Sequence, residues 1–131
     1  MFGDTPMFST YSVDDLDTAR RFYGSTLGLA VEDTPMGILE VHGGAGTRVL
    51  IYPKPDHRPA TFTVLNFPVR DIEAKVDALR DAGVAMERYD GPEMQADERG
   101  IAGGDEYGPR IAWFKDPAGN ILSVIEDPNA A

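Results

Sequence analysis

His42 and His57 are the side chains of this sequence best suited to bind a metal or move a proton near neutral pH, since imidazole titrates there and offers a nitrogen lone pair. They are the only two histidines, and there is no cysteine. Thiolate nucleophiles, disulfides and zinc–thiolate centres are therefore excluded. His42 opens the run HGGAGTR and His57 lies in PKPDHRPA; both contexts read as turn or surface positions rather than as ligands or bases. The glycines of HGGAGTR suggest a phosphate loop, but such a loop needs a helix N-terminus behind it, and strand-like segments flank this one on both sides. It is read as a hairpin turn. Glu40, Lys54, Arg110 and Glu126 carry charge on or beside strand-like runs, yet no pair has the spacing of an acid/base couple. No catalytic residue is assigned.

The elements that must position these groups occur twice. FSTYSVDDLDTARRFYGSTLGLAVED begins at Phe8 and FTVLNFPVRDIEAKVDALRDAGVAMERYD at Phe62, and each reads as strand, helix, strand. In the first copy the alternation from Met7 to Val13 predicts a strand, and Asp14 or Asp15 caps a helix with Leu16, Ala19, Phe22, Tyr23 and Leu27 on its buried stripe. Gly28 stops that helix. In the second copy Val64 to Val69 is the strand, Asp71 the cap, Ile72, Val76 and Leu79 the stripe, and Gly83 the stop. Two further strands joined by a glycine turn follow each copy: GILEV and RVLIYP in the first half, RIAWF and ILSVIE in the second. The reading is one α+β domain over residues 1–131, made of two βαβββ repeats at about 7–55 and 60–127. The proline-rich run from Pro53 to Ala60 suits a stiff crossing between repeats. The polar, glycine-rich insertion from Gly91 to Pro109 reads as a lid, a dimer contact or a mobile surface loop.

Composition narrows the function classes. Hydrophobic residues make up 42% and charged residues 26%, the mixture of an ordinary globular domain. The formal net charge of −10 repels nucleic acid and anionic membranes, which need clustered Lys and Arg. The same charge is compatible with a cationic ligand, or serves solubility alone. The N-terminal MFGDTPMFSTYSVDD has no basic region leading into an apolar stretch, and no window approaches the roughly 18 apolar residues of a membrane span. A cytoplasmic location is expected.

SVDDLDTARRFYGSTLGL, with its aspartate and its helix ending in FY and LG, and FKDPAGNILSVIE, with its D-P-x-G-N hairpin, resemble the vicinal oxygen chelate superfamily. That group includes glyoxalase I, extradiol dioxygenases and bleomycin-binding resistance proteins, and the resemblance covers nearly the whole chain. It implies paired half-barrels, a homodimer, and in metal-dependent members four inward ligands, one from the first and one from the last strand of each repeat. Carried over, those positions are Phe8, Leu50, Val64 and Ser123, where the family's usual ligands are His, Gln and Glu. Phe, Leu and Val have nothing to donate and a neutral Ser is a poor ligand, so neither a family-type metal nor another cofactor is expected. Strand alternation then places Thr10, Tyr52, Asn66 and Ile125 on the same inward faces. These side chains either line an apolar cup for a small organic molecule, with Tyr52 stacking and Thr10 or Asn66 bonding a polar edge, or fill the space as core. The competing readings are a metal-dependent lyase, isomerase or dioxygenase with ligands elsewhere, and a metal-free enzyme using Tyr52, Lys54 or a histidine. Asp116, Pro117, Gly119 and Asn120 are read as turn residues.

Overall fold

The computed structural model describes residues 1–91 and 95–131. They form two compact units, Met1–Pro59 and Ala60–Ala131, divided within the proline-rich run. The first unit contains β1 (Ser9–Val13), α1 (Leu16–Arg21), β2 (Ala30–Asp33), β3 (Leu39–His42) and β4 (Arg48–Pro53). Its sheet has the order β1-β4-β3-β2, with β1 and β4 parallel and the other pairs antiparallel. The second unit contains β5 (Thr63–Val69), α2 (Ile72–Asp81), β6 (Met86–Glu87), β7 (Ile111–Lys115) and β8 (Ile121–Glu126). Its order, β5-β8-β7-β6, repeats the first, again with the outer pair β5 and β8 parallel. The α+β class and the βαβββ repeat read from the sequence are thus the observed architecture.

Each helix covers one face of its own sheet. In the first unit Val13, Ala19, Tyr23, Leu39, Val41 and Ile51 are buried, and in the second Ile72, Val76, Ala112, Phe114, Leu122 and Val124. Fully burying one such side chain contributes about 1.5–3 kcal/mol relative to leaving it exposed. Along β3, β4 and β7 the intervening residues are less buried, as a period of two requires when one face alone is covered by a helix, whereas in β8 Ser123 is buried between Leu122 and Val124. Asp15 and Asp71 cap the two helices, each carboxylate accepting the N–H three residues on, from Thr18 at 3.1 Å and from Ala74 at 3.0 Å.

The first helix differs from its sequence reading. It does not continue regularly to Gly28: α1 ends at Arg21 and the chain widens into a π-helical turn over Phe22–Thr26. The Leu27 N–H donates to the Phe22 carbonyl, five residues back, at 2.9 Å. Gly24, Ser25 and Thr26 favour the regular helix weakly, and the wider turn seats Tyr23, which is fully buried and accepts the Tyr11 hydroxyl at 2.8 Å.

Asp116 organises the second hairpin as expected. Its carboxylate accepts the N–H groups of Ala118 and Asn120 and the Asn120 side-chain amide at 2.8–3.0 Å, while Gly119 takes φ 89°. The insertion is docked over residues 96–102. Asp97 accepts the N–H groups of Arg99 and Ile101, Ala102 exchanges two backbone bonds with Ile111, and Ala96, Ile101 and Ala102 are buried. This part of the run is fixed by its own hydrogen bonds rather than loose; Pro92, Glu93 and Met94 lie outside the described residues. Among the described residues no helix is long and apolar enough to cross a membrane.

Candidate functional site

The face of the first sheet opposite α1 follows from register. Thr10 pairs with Leu50 and Ser12 with Tyr52, Leu50 pairs with Glu40, and Arg48 pairs with His42, so these seven side chains point the same way. Phe8 precedes β1 by one residue and joins them, for the Arg48 guanidinium lies 4.6 Å from the centre of its ring. Phe8 is 49% exposed, Thr10 is exposed, and Leu50 and Tyr52 are half-buried. The four first-half positions read from the sequence, Phe8, Thr10, Leu50 and Tyr52, are thus brought together on one accessible face, which they share with Ser12, Glu40, His42 and Arg48.

Both histidines lie closer to this face than the sequence suggested. His42 is the last residue of β3 rather than part of the turn, because the hairpin itself needs only Gly43 to Thr47. His57 sits in a turn held by its N–H to the Lys54 carbonyl, and its Nδ1 lies 2.6 Å from the Ser12 hydroxyl, beside Tyr52. No pattern local to either residue carries this; it depends on the parallel pairing of β1 with β4.

In the second unit Ser123 pairs with both Asn66 and Trp113 on the face opposite α2. Ser123 is fully buried, and its hydroxyl donates to the Asn66 side-chain oxygen at 2.5 Å. Ile125 pairs with Pro68 and Ile111 on the same face. Val64 departs from expectation. A register shift between Thr63 and Leu65 makes Val64 the extra residue of a β-bulge, which breaks the strict alternation that grouped it with Asn66. Thr63, opposite Ile121, takes a place on this face, and its hydroxyl accepts the Trp113 indole N–H at 3.0 Å. Tyr89 meets the Trp113 ring edge-on at 5.4 Å. Thr63, Trp113 and Tyr89 are therefore site candidates missed by counting residues, since neither the bulge nor the hairpin register is written in local composition.

The charges that could have approached the site are mostly engaged elsewhere. Arg110 holds Glu126 at 2.7 Å and also faces Glu73 of α2, on the helix side of the sheet. The hydrogen bond from Arg110 holds the Glu126 carboxyl below its ordinary range. Lys54 pairs with Asp56 at 3.3 Å.

The family's metal positions do not fit a divalent ion. Phe8, Leu50 and Val64 have no donor atom, and the Ser123 hydroxyl is buried and committed to Asn66. No step through such an ion is derived.

Repeat, strand order and hairpin together define a known class. The chain belongs to the Glyoxalase/Bleomycin resistance protein/Dioxygenase superfamily, whose model matches residues 8–124. Among solved structures it is similar to TnmS3, an antibiotic binding protein from Streptomyces sp. CB03234, with 26% identity, a TM-score of 0.67, and 94% of this chain and 97% of that one covered. A glyoxalase/bleomycin resistance protein from the same organism is 27% identical with a TM-score of 0.61, covering 91% and 99%. A glyoxalase family protein from Enterococcus faecalis shares the fold at 21% identity and a TM-score of 0.69, covering 96% and 100%. No curated protein matches the chain.

Proposed function

We propose that this chain is a metal-independent binding protein for a small, planar organic molecule, held on the helix-free face that carries Phe8, Thr10, Leu50 and Tyr52. The observation that carries the reading is the gathering of two aromatic rings, one aliphatic side chain and one hydroxyl on an accessible strand face. Aromatic and aliphatic groups supply contact area with little side-chain entropy to lose, and Thr10 fixes one polar edge. Similarity to an antibiotic binding protein supports a ligand of antibiotic-like chemistry, and the net charge of −10 favours a cationic one. The donor-poor family positions argue against the metal-dependent lyase, isomerase or dioxygenase reading. The same proposal includes a cytoplasmic homodimer; exposed Met7, Phe8 and Phe62 offer apolar contact area for a second copy, and light scattering in solution checks it.

Thermal shift with a panel of planar aromatic antibiotics, in chelator, tests the binding reading. A ligand at about 100 times its Kd stabilises the folded state by about 2.7 kcal/mol. The expected result is a raised melting temperature for at least one cationic aromatic member, lost in Tyr52→Ala while the unliganded fold persists. No shift with any member, or a shift indifferent to Tyr52→Ala, overturns the reading.

A further inference from the structure

Glu32, Glu40 and His42 share the helix-free face of the first sheet at its β2–β3 edge. Glu32 lies directly opposite Glu40, and His42 is two residues further along β3 on the same side. The His42 Nε2 lies 3.5 Å from Glu40 Oε1 and 3.8 Å from Glu32 Oε2, and one donor atom from each of the three side chains falls within 4.8 Å of the others. About a third of the imidazole is exposed, but Nε2 itself is shielded from solvent and has no hydrogen-bond partner among the described residues.

A shielded ring nitrogen turned toward two carboxylates is costly unless a proton or a metal cation lies between them, and three convergent donors are what a metal cation uses. We propose that these three side chains bind a first-row divalent transition ion, zinc being the reference case. Zinc sits about 2.0–2.2 Å from nitrogen and oxygen donors, so two ligands of a tetrahedral site are about 3.4 Å apart. The 3.5 and 3.8 Å from His42 are close to that spacing, and rotation of the exposed Glu32 side chain brings the third donor pair, now within 4.8 Å, toward it. Imidazole with two carboxylates suits zinc, cobalt or nickel, whereas magnesium and calcium demand oxygen-only shells. Arg48 bonds Glu40 Oε1 at 3.1 Å; it fixes this carboxylate and offsets part of the negative charge, and rotation of the carboxylate presents either oxygen to an ion. With solvent completing the coordination, the site is an open one of modest affinity. It uses none of the family's four ligand positions, although Glu40 stands directly opposite Leu50 on the same face, and it does not depend on the organic-ligand reading, which is tested in chelator.

Titration calorimetry of the full chain with zinc chloride tests the proposal, with cobalt(II) absorption as the second readout and magnesium and calcium as controls. One equivalent of zinc should bind with Kd of about 10 µM or tighter, and cobalt should give a visible band. Glu32→Gln, an exposed change on an edge strand, and His42→Ala should each weaken zinc binding at least tenfold, whereas His57→Gln should not. If His42→Ala fails to fold, Glu32→Gln alone decides. Binding weaker than about 0.1 mM, or zinc affinity unchanged in Glu32→Gln, overturns it; so does equal binding of magnesium, which marks a diffuse acidic surface.

Discussion

Asp116 has the clearest single task in the chain. It is 4% exposed, and its two oxygens accept three N–H groups within the second hairpin. A bond to a charged acceptor contributes about 1.5–3 kcal/mol, and buried donors that lose their acceptor cost more than the bond was worth. Asp116→Ala should therefore lower stability by about 3 kcal/mol, and Asp116→Asn, which keeps one acceptor, by less; urea midpoints at constant slope measure both. This role was legible in the sequence because Asp, Gly and Asn act within four residues of each other. The same holds for Asp15 and Asp71 as caps. Positions whose meaning depends on distant partners were less legible. Thr10, Leu50 and Tyr52 came out together because alternation is regular along β1 and β4, whereas Val64 was misplaced because one extra residue in β5 shifts the count. The glycine immediately after His42 suggests a turn at the histidine, yet β3 runs through His42 as its last residue.

At the scale of elements, the two sheets are built alike but secured differently. The β7–β8 pair is tied at its open end by Arg110 and Glu126, with Glu73 of α2 beside them. The Arg110 hydrogen bond depresses the Glu126 carboxyl from its ordinary 4.5. A group whose pKa is lower folded than unfolded stabilises the fold at pH above the unfolded value, and that stabilisation is lost as pH falls through the folded value. The contribution should thus be complete at neutral pH and fade below about pH 4.5. Glu126→Gln should be less stable than the parent at pH 7, and the two should converge toward pH 3; urea midpoints across that range check the sign. Because the pair is only half-buried and still reached by solvent, high salt should shrink the neutral-pH difference. The βαβββ order of both halves follows from the repeat in the sequence, whereas the pairing order within each sheet is set by contacts distant along the chain. The π-helical turn after α1 does not follow from the repeat, since its cause is the seating of Tyr23 against Tyr11 rather than a local propensity.

For the whole molecule the dominant quantity is charge. A net −10 spread over 131 residues produces a field that reaches beyond individual contacts and is screened over about 8 Å at physiological ionic strength. On the first sheet Glu32 and Glu40 lie on the proposed ligand face, so the general field and the local one have the same sign, relieved only in part by Arg48. A cationic aromatic probe should gain from both, whereas a neutral molecule of the same shape gains only from contact with Phe8, Leu50 and Tyr52. Raising sodium chloride from about 20 to about 500 mM should weaken binding of the cation about tenfold and leave the neutral isostere within about twofold. Fluorescence or calorimetric titrations in chelator measure both. Equal salt slopes would show that the acidity serves solubility and that recognition is apolar. A slope for the cation that disappears in Glu32→Gln would assign the attraction to the β2–β3 edge rather than to the molecule's overall charge.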